Sequence, residues 1–135
     1  MNDRFRFRVW DIKRRAMLYD TYYENMYLNI DEGYLYKEDG PSNMPYTTSI
    51  DDDYILMQCT GLKDKNGKLI YEGDILRREE NGWCARVWWD NDSIGFRAGL
   101  PSMPGWFISP DYFRCNENIG NIYENPELLL IKRTI

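Results

Sequence analysis

Two Asn-Gly dipeptides, Asn66-Gly67 and Asn81-Gly82, each lie between short apolar segments. Asn and Gly adopt positive φ at little cost, so such a pair between strands is typical of a tight hairpin turn. The segment after the second pair, "WCARVWW", alternates with the period of a strand that buries one face. This alternation predicts that Trp83, Val87 and Trp89 are buried.

The opposite face of the same segment carries Arg86 and Trp88 and is predicted to reach solvent. An arginine beside an aromatic ring suits the tracking of a nucleic-acid backbone and the stacking of bases. Aromatic and arginine side chains also dominate protein interfaces. We therefore take Arg86 and Trp88 as a candidate interaction surface.

The rest of the chain also shows short strands joined by turns, and no long amphipathic helix is present in the pattern. Aromatic residues form 16% of the chain, with 11 Tyr and 5 Trp, and these side chains pack well on a pleated sheet. The sequence predicts an all-β fold with minor helical turns, built as a small barrel or a strongly bent antiparallel sheet. One helical turn is expected at "NPELLLI", where Asn125 precedes Pro126 and Glu127.

The N-terminal segment "RFRFRVW" alternates strictly and predicts the first strand of an N-terminal pair, with "AMLYD" returning after a turn. Its apolar side chains are expected to face the core. The opposite face is formed by Arg4, Arg6 and Arg8. This row has two interpretations, a binding stripe or a solvated strand face, and we include it in the candidate interaction surface.

Residues 37–53 are rich in Pro, Gly, Ser and acidic residues, as in a loop or linker. We place a boundary here, between an N-terminal strand arm with an acidic loop (1–53) and a barrel-like core with a C-terminal tail (54–135). The loop ends in Asp51, Asp52 and Asp53. Consecutive residues of an extended chain point in different directions, and the spaced ligands of an EF-hand are absent, so a solvated acidic loop is favoured over a calcium site.

A Gly73-Asp74 pair stands immediately before the apolar run "ILRRE". Gly73 is expected to adopt a backbone conformation that other residues resist, and Asp74 to accept hydrogen bonds from turn amides. The alternative is that Asp74 acts as an acid or base, but no partner for that chemistry can be named. The pair is therefore predicted to shape the fold.

Charge and composition exclude several classes of protein. The net charge of −5 at pH 7 argues against general binding of nucleic acid. No histidine is present, and the three cysteines are isolated from one another, so neither a metal nor a cofactor is expected. The charged N-terminus does not resemble a signal peptide, and no segment is apolar for the length of a membrane span. Free thiols fit a reducing cytoplasm.

Three segments together resemble the YopX family of phage and prophage proteins. They are "FRVWDIKRRAML" (7–18), "LMQCTGLKDKNGKLIYEGDIL" (56–76) and "IGNIYENPELL" (119–129), in this order. The resemblance covers nearly the whole chain. It implies a small, mostly β protein encoded by phages or integrated prophages, of unknown biochemical function, in a bacterial host.

Three functions are compatible with these features. The first is a non-catalytic protein-interaction module that acts on an unknown host or phage protein in the bacterial cytoplasm. The second is a nucleic-acid-binding small barrel of the SH3-like kind, which the acidic charge disfavours. The third, an enzyme, is not expected: without histidine there is no Ser-His or Cys-His pair, and Asp90 and Asp92 lie in a turn-like segment.

The basic N-terminal strand is followed by a strongly acidic stretch. Residues 1–15 hold six Lys or Arg against two Asp or Glu, whereas residues 16–53 hold one against nine. Opposite charges can pair within one chain or between copies, and a terminal strand can add to the sheet edge of a neighbour. A homo-oligomer that uses the N-terminal arm is therefore expected.

Overall fold

A computed structural model describes residues 3–19, 26–29, 34–37, 46–47, 53–80, 82–100, 103–107 and 116–129. Two short 3-10 turns lie at Asp3–Phe5 and Pro126–Leu129. The strands are β1 Phe7–Asp11, β2 Ala16–Leu18, β3 Met26–Asn29, β4 Tyr34–Lys37, β5 Tyr46–Thr47, β6 Tyr54–Lys63, β7 Leu69–Tyr71, β8 Asp74–Arg78, β9 Cys84–Asp90, β10 Gly95–Leu100, β11 Met103–Phe107 and β12 Asn116–Asn121. The predicted mostly β class is confirmed, with antiparallel sheets that bend.

The chain divides into two compact units. Unit 1 contains Met1–Arg6 and Gln58–Ile135, and unit 2 contains Phe7–Met57. Strand β6 runs through the division at residue 57. The predicted division into residues 1–53 and 54–135 stays a prediction.

Unit 1 contains a five-stranded antiparallel sheet in the order β11-β10-β9-β8-β12, while the second part of β6 pairs with β7. Its core is formed by four buried side chains from β7, β8, β9 and β10: Ile70, Leu76, Val87 and Ala98. Residues directly opposite on antiparallel strands share a face, and Val87 lies opposite Ala98. The burial of Val87 is as the alternation predicts.

Unit 2 contains β1, β2 and the first part of β6, together with a three-stranded sheet in the order β3-β4-β5. Val9 is fully buried on β1. The side chains of Phe7, Leu18, Tyr54 and Leu56 pack against it. The N-terminal strand pair is therefore present, as β1 with β2.

The first residues of the chain depart from the predicted alternation. Residues Asp3–Phe5 form a 3-10 turn, and strand β1 begins only at Phe7. Phe5 is 61% exposed, so it does not face the core as expected. The alternation of phenylalanine and arginine could not reveal this turn, because a 3-10 turn and a strand both accept these residues.

The turns follow the glycine pattern of the sequence. Gly67 and Gly82 have φ of 83° and 71°, the left-handed conformation expected of the two Asn-Gly turns. Gly73 has φ of 85°, and its amide donates to the Val87 carbonyl oxygen at 2.8 Å. The helical turn predicted near residue 126 is present as Pro126–Leu129.

Candidate interaction surface

Asp64 is a buried carboxylate, 5% exposed, at the turn between β6 and β7. Its Oδ1 accepts hydrogen bonds from the amides of Asn66 and Lys68, at 2.8 and 2.9 Å. Its Oδ2 accepts one from the Asn118 amide on β12, at 2.8 Å. One carboxylate therefore shapes the Asn-Gly turn and joins it to a strand that is 54 residues away in the chain.

Asp74 holds the next turn in the same way. It is 2% exposed, and its Oδ2 accepts hydrogen bonds from the Tyr71 amide and from Asn118 Nδ2, both at 2.7 Å. We call Asp64, Asp74 and Asn118 the polar hub. The predicted bond from a turn amide to Asp74 is confirmed. Asp64 and Asp74 lie in the motif segment 56–76, and Asn118 directly precedes the motif segment 119–129, so the hub joins neighbouring parts of the two segments.

Gly120 and Asn125 fix the conformation of the motif segment 119–129. Gly120 has φ of 157°, and a Cβ atom at this position would meet the Asn125 Oδ1 atom. That Oδ1 accepts a hydrogen bond from the Asn121 amide at 3.2 Å. The Asn125 side chain thus bonds back to β12 and leaves room for no side chain at residue 120.

Arg86 and Trp88 lie together on one face of β9, as predicted, and both are half-buried. Arg86 lies opposite Ile75 on β8 and Gly99 on β10, and Trp88 lies opposite Arg97. The Arg86 Nε atom is buried, and it has no hydrogen-bond partner in the part of the chain that the structure describes. This face is open to solvent only in part.

Arg97, on the same face, is held by the turn between β9 and β10. Its Nε donates to Asp90 Oδ2 at 2.7 Å, and its Nη2 donates to the Ser93 hydroxyl at 2.9 Å. Burial alone would raise the pKa of Asp90, but hydrogen bonds from Ser93, the Asp92 amide and Arg97 outweigh it and hold that pKa below its ordinary value. Asp90 is therefore an anion bound within its own turn.

Arg4 and Arg6 flank the second part of β6 in unit 1. The Arg4 carbonyl accepts a hydrogen bond from Gln58 Nε2 at 3.0 Å, and the Arg6 carbonyl accepts one from the Cys59 amide at 2.9 Å. Gly61 makes this approach feasible, because a Cβ atom there would lie 3.0 Å from the Arg4 Cβ. Both arginine side chains are exposed, and they lie on a different element from Arg86 and Trp88.

Arg8 is not on a solvated face. It is 2% exposed in unit 2, its Nη1 donates to the Tyr19 hydroxyl at 3.4 Å, and its guanidinium lies 5.7 Å from the centre of the Tyr19 ring. The four residues Arg8–Asp11 of β1 are all buried, so both faces of this strand are covered rather than one. The expectation that Arg8 reaches solvent with Arg4 and Arg6 is wrong.

Two of the three side chains predicted to be buried in "WCARVWW" are exposed. Trp83 is 41% exposed and lies before β9, which begins only at Cys84. Trp89 is 38% exposed near the other end of the strand, where it contacts the Phe96 ring edge to face at 5.0 Å. The faces are assigned correctly, but the strand ends extend past the core.

Ile94, which the sequence pattern did not single out, lies in the turn of the same β9–β10 hairpin as Trp89. It is 77% exposed, and its φ is 53°. A β-branched residue in this conformation is strained, and an exposed side chain gains little burial in return. Its position before Gly95 offered a turn signal, but sequence alone does not assign the positive φ to Ile94.

The cysteines and the acidic loop form no cluster in the described part of the chain. Cys59 is buried, which raises the pKa of its thiol. Asp53 pairs with Lys13 at 3.3 Å, while Asp51, Asp52 and Cys115 lie outside the described residues. Among the residues described, no group of three or more His, Cys, Asp or Glu side chains is placed to hold a metal ion. No helix in this part of the chain is long and apolar enough to cross a membrane.

The interlocked motif segments agree with a comparison to known families. The family model described as YopX protein matches residues 6–130. The chain belongs to the YopX family. The resemblance found in the sequence is thereby confirmed, and the matched range includes all three residues of the polar hub.

Two solved structures resemble this YopX family chain over nearly its whole length. Protein EF1440 from Enterococcus faecalis is 26% identical, with a TM-score of 0.60, and the match covers 92% of this chain and 96% of that one. Protein yopX from Bacillus subtilis is 25% identical, with a TM-score of 0.61, and the match covers 96% of this chain and 97% of that one. No curated protein sequence matches the chain significantly.

Proposed function

We propose that this YopX family member is a non-catalytic protein-interaction module, encoded by a phage or prophage, that acts on a host or phage protein in the bacterial cytoplasm. The family membership and the bacterial sources of the two similar structures support this origin. The carboxylates of the polar hub hold turns together, which is a structural role and needs no substrate.

The exposed end of the β9–β10 hairpin is the observation that carries the proposal. Trp89 and Ile94 present apolar side chains to solvent from a rigid, hydrogen-bonded turn. Large apolar side chains on a fixed element are the usual anchors of a protein interface. The strain at Ile94 brings no burial within the chain, so its side chain suits contact with another molecule.

Affinity capture from a phage-infected host, followed by mass spectrometry, tests the proposal. The wild-type chain is compared with Ile94→Asn, because Asn tolerates positive φ, and with Lys68→Ser as an exposed control. We expect a protein that the wild type and the control retain and that Ile94→Asn loses. Recovery of the same proteins by all three chains, or of none, would contradict the role of the hairpin.

A nucleic-acid-binding barrel is the second candidate, because Arg86 and Trp88 share one face of β9. Binding of this kind weakens steeply as salt is raised, since cations on the protein displace counterions from the phosphates. Measured affinity for single-stranded DNA or RNA at several salt concentrations distinguishes the two candidates. A strong, salt-dependent affinity would favour the barrel over the protein-interaction module.

A homo-oligomer that uses the N-terminal arm also remains a proposal. The backbone of β1 is already placed between β2 and β6, so the edge expected on β1 is taken within the chain. Contact between copies would therefore use the exposed side chains of the arm, such as Phe5. Light scattering after gel filtration decides: a monomer near 16.2 kDa rejects the oligomer, and an oligomer unchanged by deletion of residues 1–19 rejects the arm.

A further inference from the structure

Arg86 carries a positive charge that no contact in the described part of the chain neutralises. The side chain is half-buried in the middle of β9, and its Nε atom is buried without an acceptor. In the part of the chain that the structure describes, no carboxylate, carbonyl or ring pairs with the guanidinium. Removing a charged donor from water without an acceptor is unfavourable.

The other two arginines of this face are neutralised by partners. Arg97 Nε is bound to Asp90 at 2.7 Å, and Arg77 Nη2 is bound to Glu117 Oε2 at 2.7 Å. Among these three arginines, Arg86 alone therefore contributes an uncompensated positive charge within the described chain. In the described residues, this face therefore has one unpaired cation rather than a row of them.

The strand neighbours of Arg86 supply no acceptor. On β10 it lies opposite Gly99, which has no side chain, and on β8 it lies opposite Ile75, which is apolar and fully buried. Trp88 follows on the same face of β9. The guanidinium thus lies between an apolar side chain, a backbone position without a side chain and an indole.

We propose that Arg86 binds a carboxylate on a partner protein, with Trp88 beside it contacting the apolar part of the same segment. The proposal rests on the proposed function, since it takes the ligand to be a protein. A guanidinium matches a carboxylate with two parallel hydrogen bonds. A nucleic acid presents a series of phosphates and requires several cations, whereas among the described residues this face has one unpaired arginine, and the chain has a net charge of −5.

Thermal unfolding provides the first test, because it needs no ligand. Arg86→Met replaces the unbranched stem of arginine by an apolar chain of similar length and removes the unpaired guanidinium, so we expect an unchanged Tm or a rise of about 2–4 °C. The matched control is Arg97→Met, which breaks the bonds to Asp90 and Ser93 and should lower the Tm. A fall in Tm for Arg86→Met as large as that for Arg97→Met would show an internal role and overturn the proposal.

A peptide titration provides the second test. The probes are acetyl-Leu-Glu-Leu-amide, its Gln counterpart and a short oligothymidylate, and the readout is the NMR signal of Arg86 Nε–Hε, assigned with Arg86→Met. A single contact of this kind has millimolar affinity at best, so the titration extends to roughly 50 mM. We expect the Glu peptide to shift the signal and the Gln peptide to leave it in place.

Three outcomes would overturn the assignment: equal shifts with both peptides, no shift with the Glu peptide, or a larger and salt-dependent shift with the oligothymidylate. These failures differ from failure of the proposed function. If Arg86→Met still captures the partner that Ile94→Asn loses, the protein-interaction module stands and the carboxylate contact is wrong.

Discussion

The polar hub and the Arg86 face lie in the same unit but differ in how their charged groups are hydrogen-bonded. Asp64 and Asp74 are buried, and each carboxylate accepts at least two hydrogen bonds from turns and from Asn118. Arg86 is half-buried, and its guanidinium has no such partner among the described residues. A buried charge that is fully bound maintains a fold, whereas one left unbound suits a role outside the chain.

The largest effect is expected at the turn that enters β8. Gly73→Val should lower the free energy of unfolding by roughly 3–5 kcal/mol, since valine resists φ of 85° and adds volume at a buried position. Asp74→Asn keeps an acceptor for the Tyr71 amide and should cost about 1–2 kcal/mol. Urea unfolding measures both, and equal losses would mean that the turn conformation matters less than the carboxylate.

A smaller effect is expected in the motif segment 119–129, where the Asn125 side chain bonds back to β12. Gly120→Ala must displace the Asn125 side chain from β12 and should cost roughly 2–3 kcal/mol. Gly67→Ala is the matched control, because Gly67 also has positive φ but a Cβ atom there would meet nothing within 4 Å. It should cost about 1 kcal/mol. A Gly120→Ala chain as stable as this control would show that Asn125 does not lock the segment.

Trp89→Ala tests whether Trp89 belongs to the exposed end of the hairpin or to the core. Replacing a fully buried tryptophan by alanine lowers the free energy of unfolding by about 3–5 kcal/mol. Trp89 is 38% exposed, so we expect a loss of about 1–2 kcal/mol, from the contact with Phe96 and the partial burial of the ring. Val87→Ala, at a fully packed position on the same face, is the reference for the core. A loss above about 3 kcal/mol would assign Trp89 to the core rather than to an interface.

The smallest effect concerns pH. The pKa of Asp90 is lowered from 3.8, so its contribution is present above that pH and is lost as the pH falls through the lower folded value. Asp90→Asn should therefore be less stable than the wild type near neutral pH, and the difference should shrink below about pH 4. Thermal unfolding across this range measures it. A difference that stays constant with pH would show that ionisation of Asp90 contributes nothing.

Local chemistry made the turns predictable. The conformations of Gly67, Gly73 and Gly82, and the bond from Asp74 to a turn amide, follow from residue types a few positions apart. The polar hub was not predicted as a whole, because Asn118 is 54 residues from Asp64 and pairs with it only after the sheet has formed. An Asp two residues before an Asn-Gly pair was the local signal for Asp64.

Alternation predicted which face of β9 points to the core but not how far the core extends along the strand. Val87 is buried in the middle, whereas Trp83 and Trp89 are exposed near the ends. On β1 the same kind of pattern placed Arg8 in solvent, but both faces of this strand are buried, and alternation cannot reveal a strand that is covered on both faces. Arg86 and Trp88 share one face of β9, as the alternation predicts, and their role as an interaction surface stays a prediction. Alternation could not show that Arg86 lacks a partner among the described residues, because that depends on contacts between strands.

The most direct measurement of the contrast between hub and face is urea unfolding of Asp64→Ala and Arg86→Met, side by side. Asp64→Ala removes the acceptor of three amides and should lower the free energy of unfolding by about 3 kcal/mol or more. Arg86→Met should leave it unchanged or raise it by up to about 1 kcal/mol. If Arg86→Met instead lowers it by about 2 kcal/mol, a loss of the size expected for a broken charged hydrogen bond, Arg86 belongs to the fold and not to a partner.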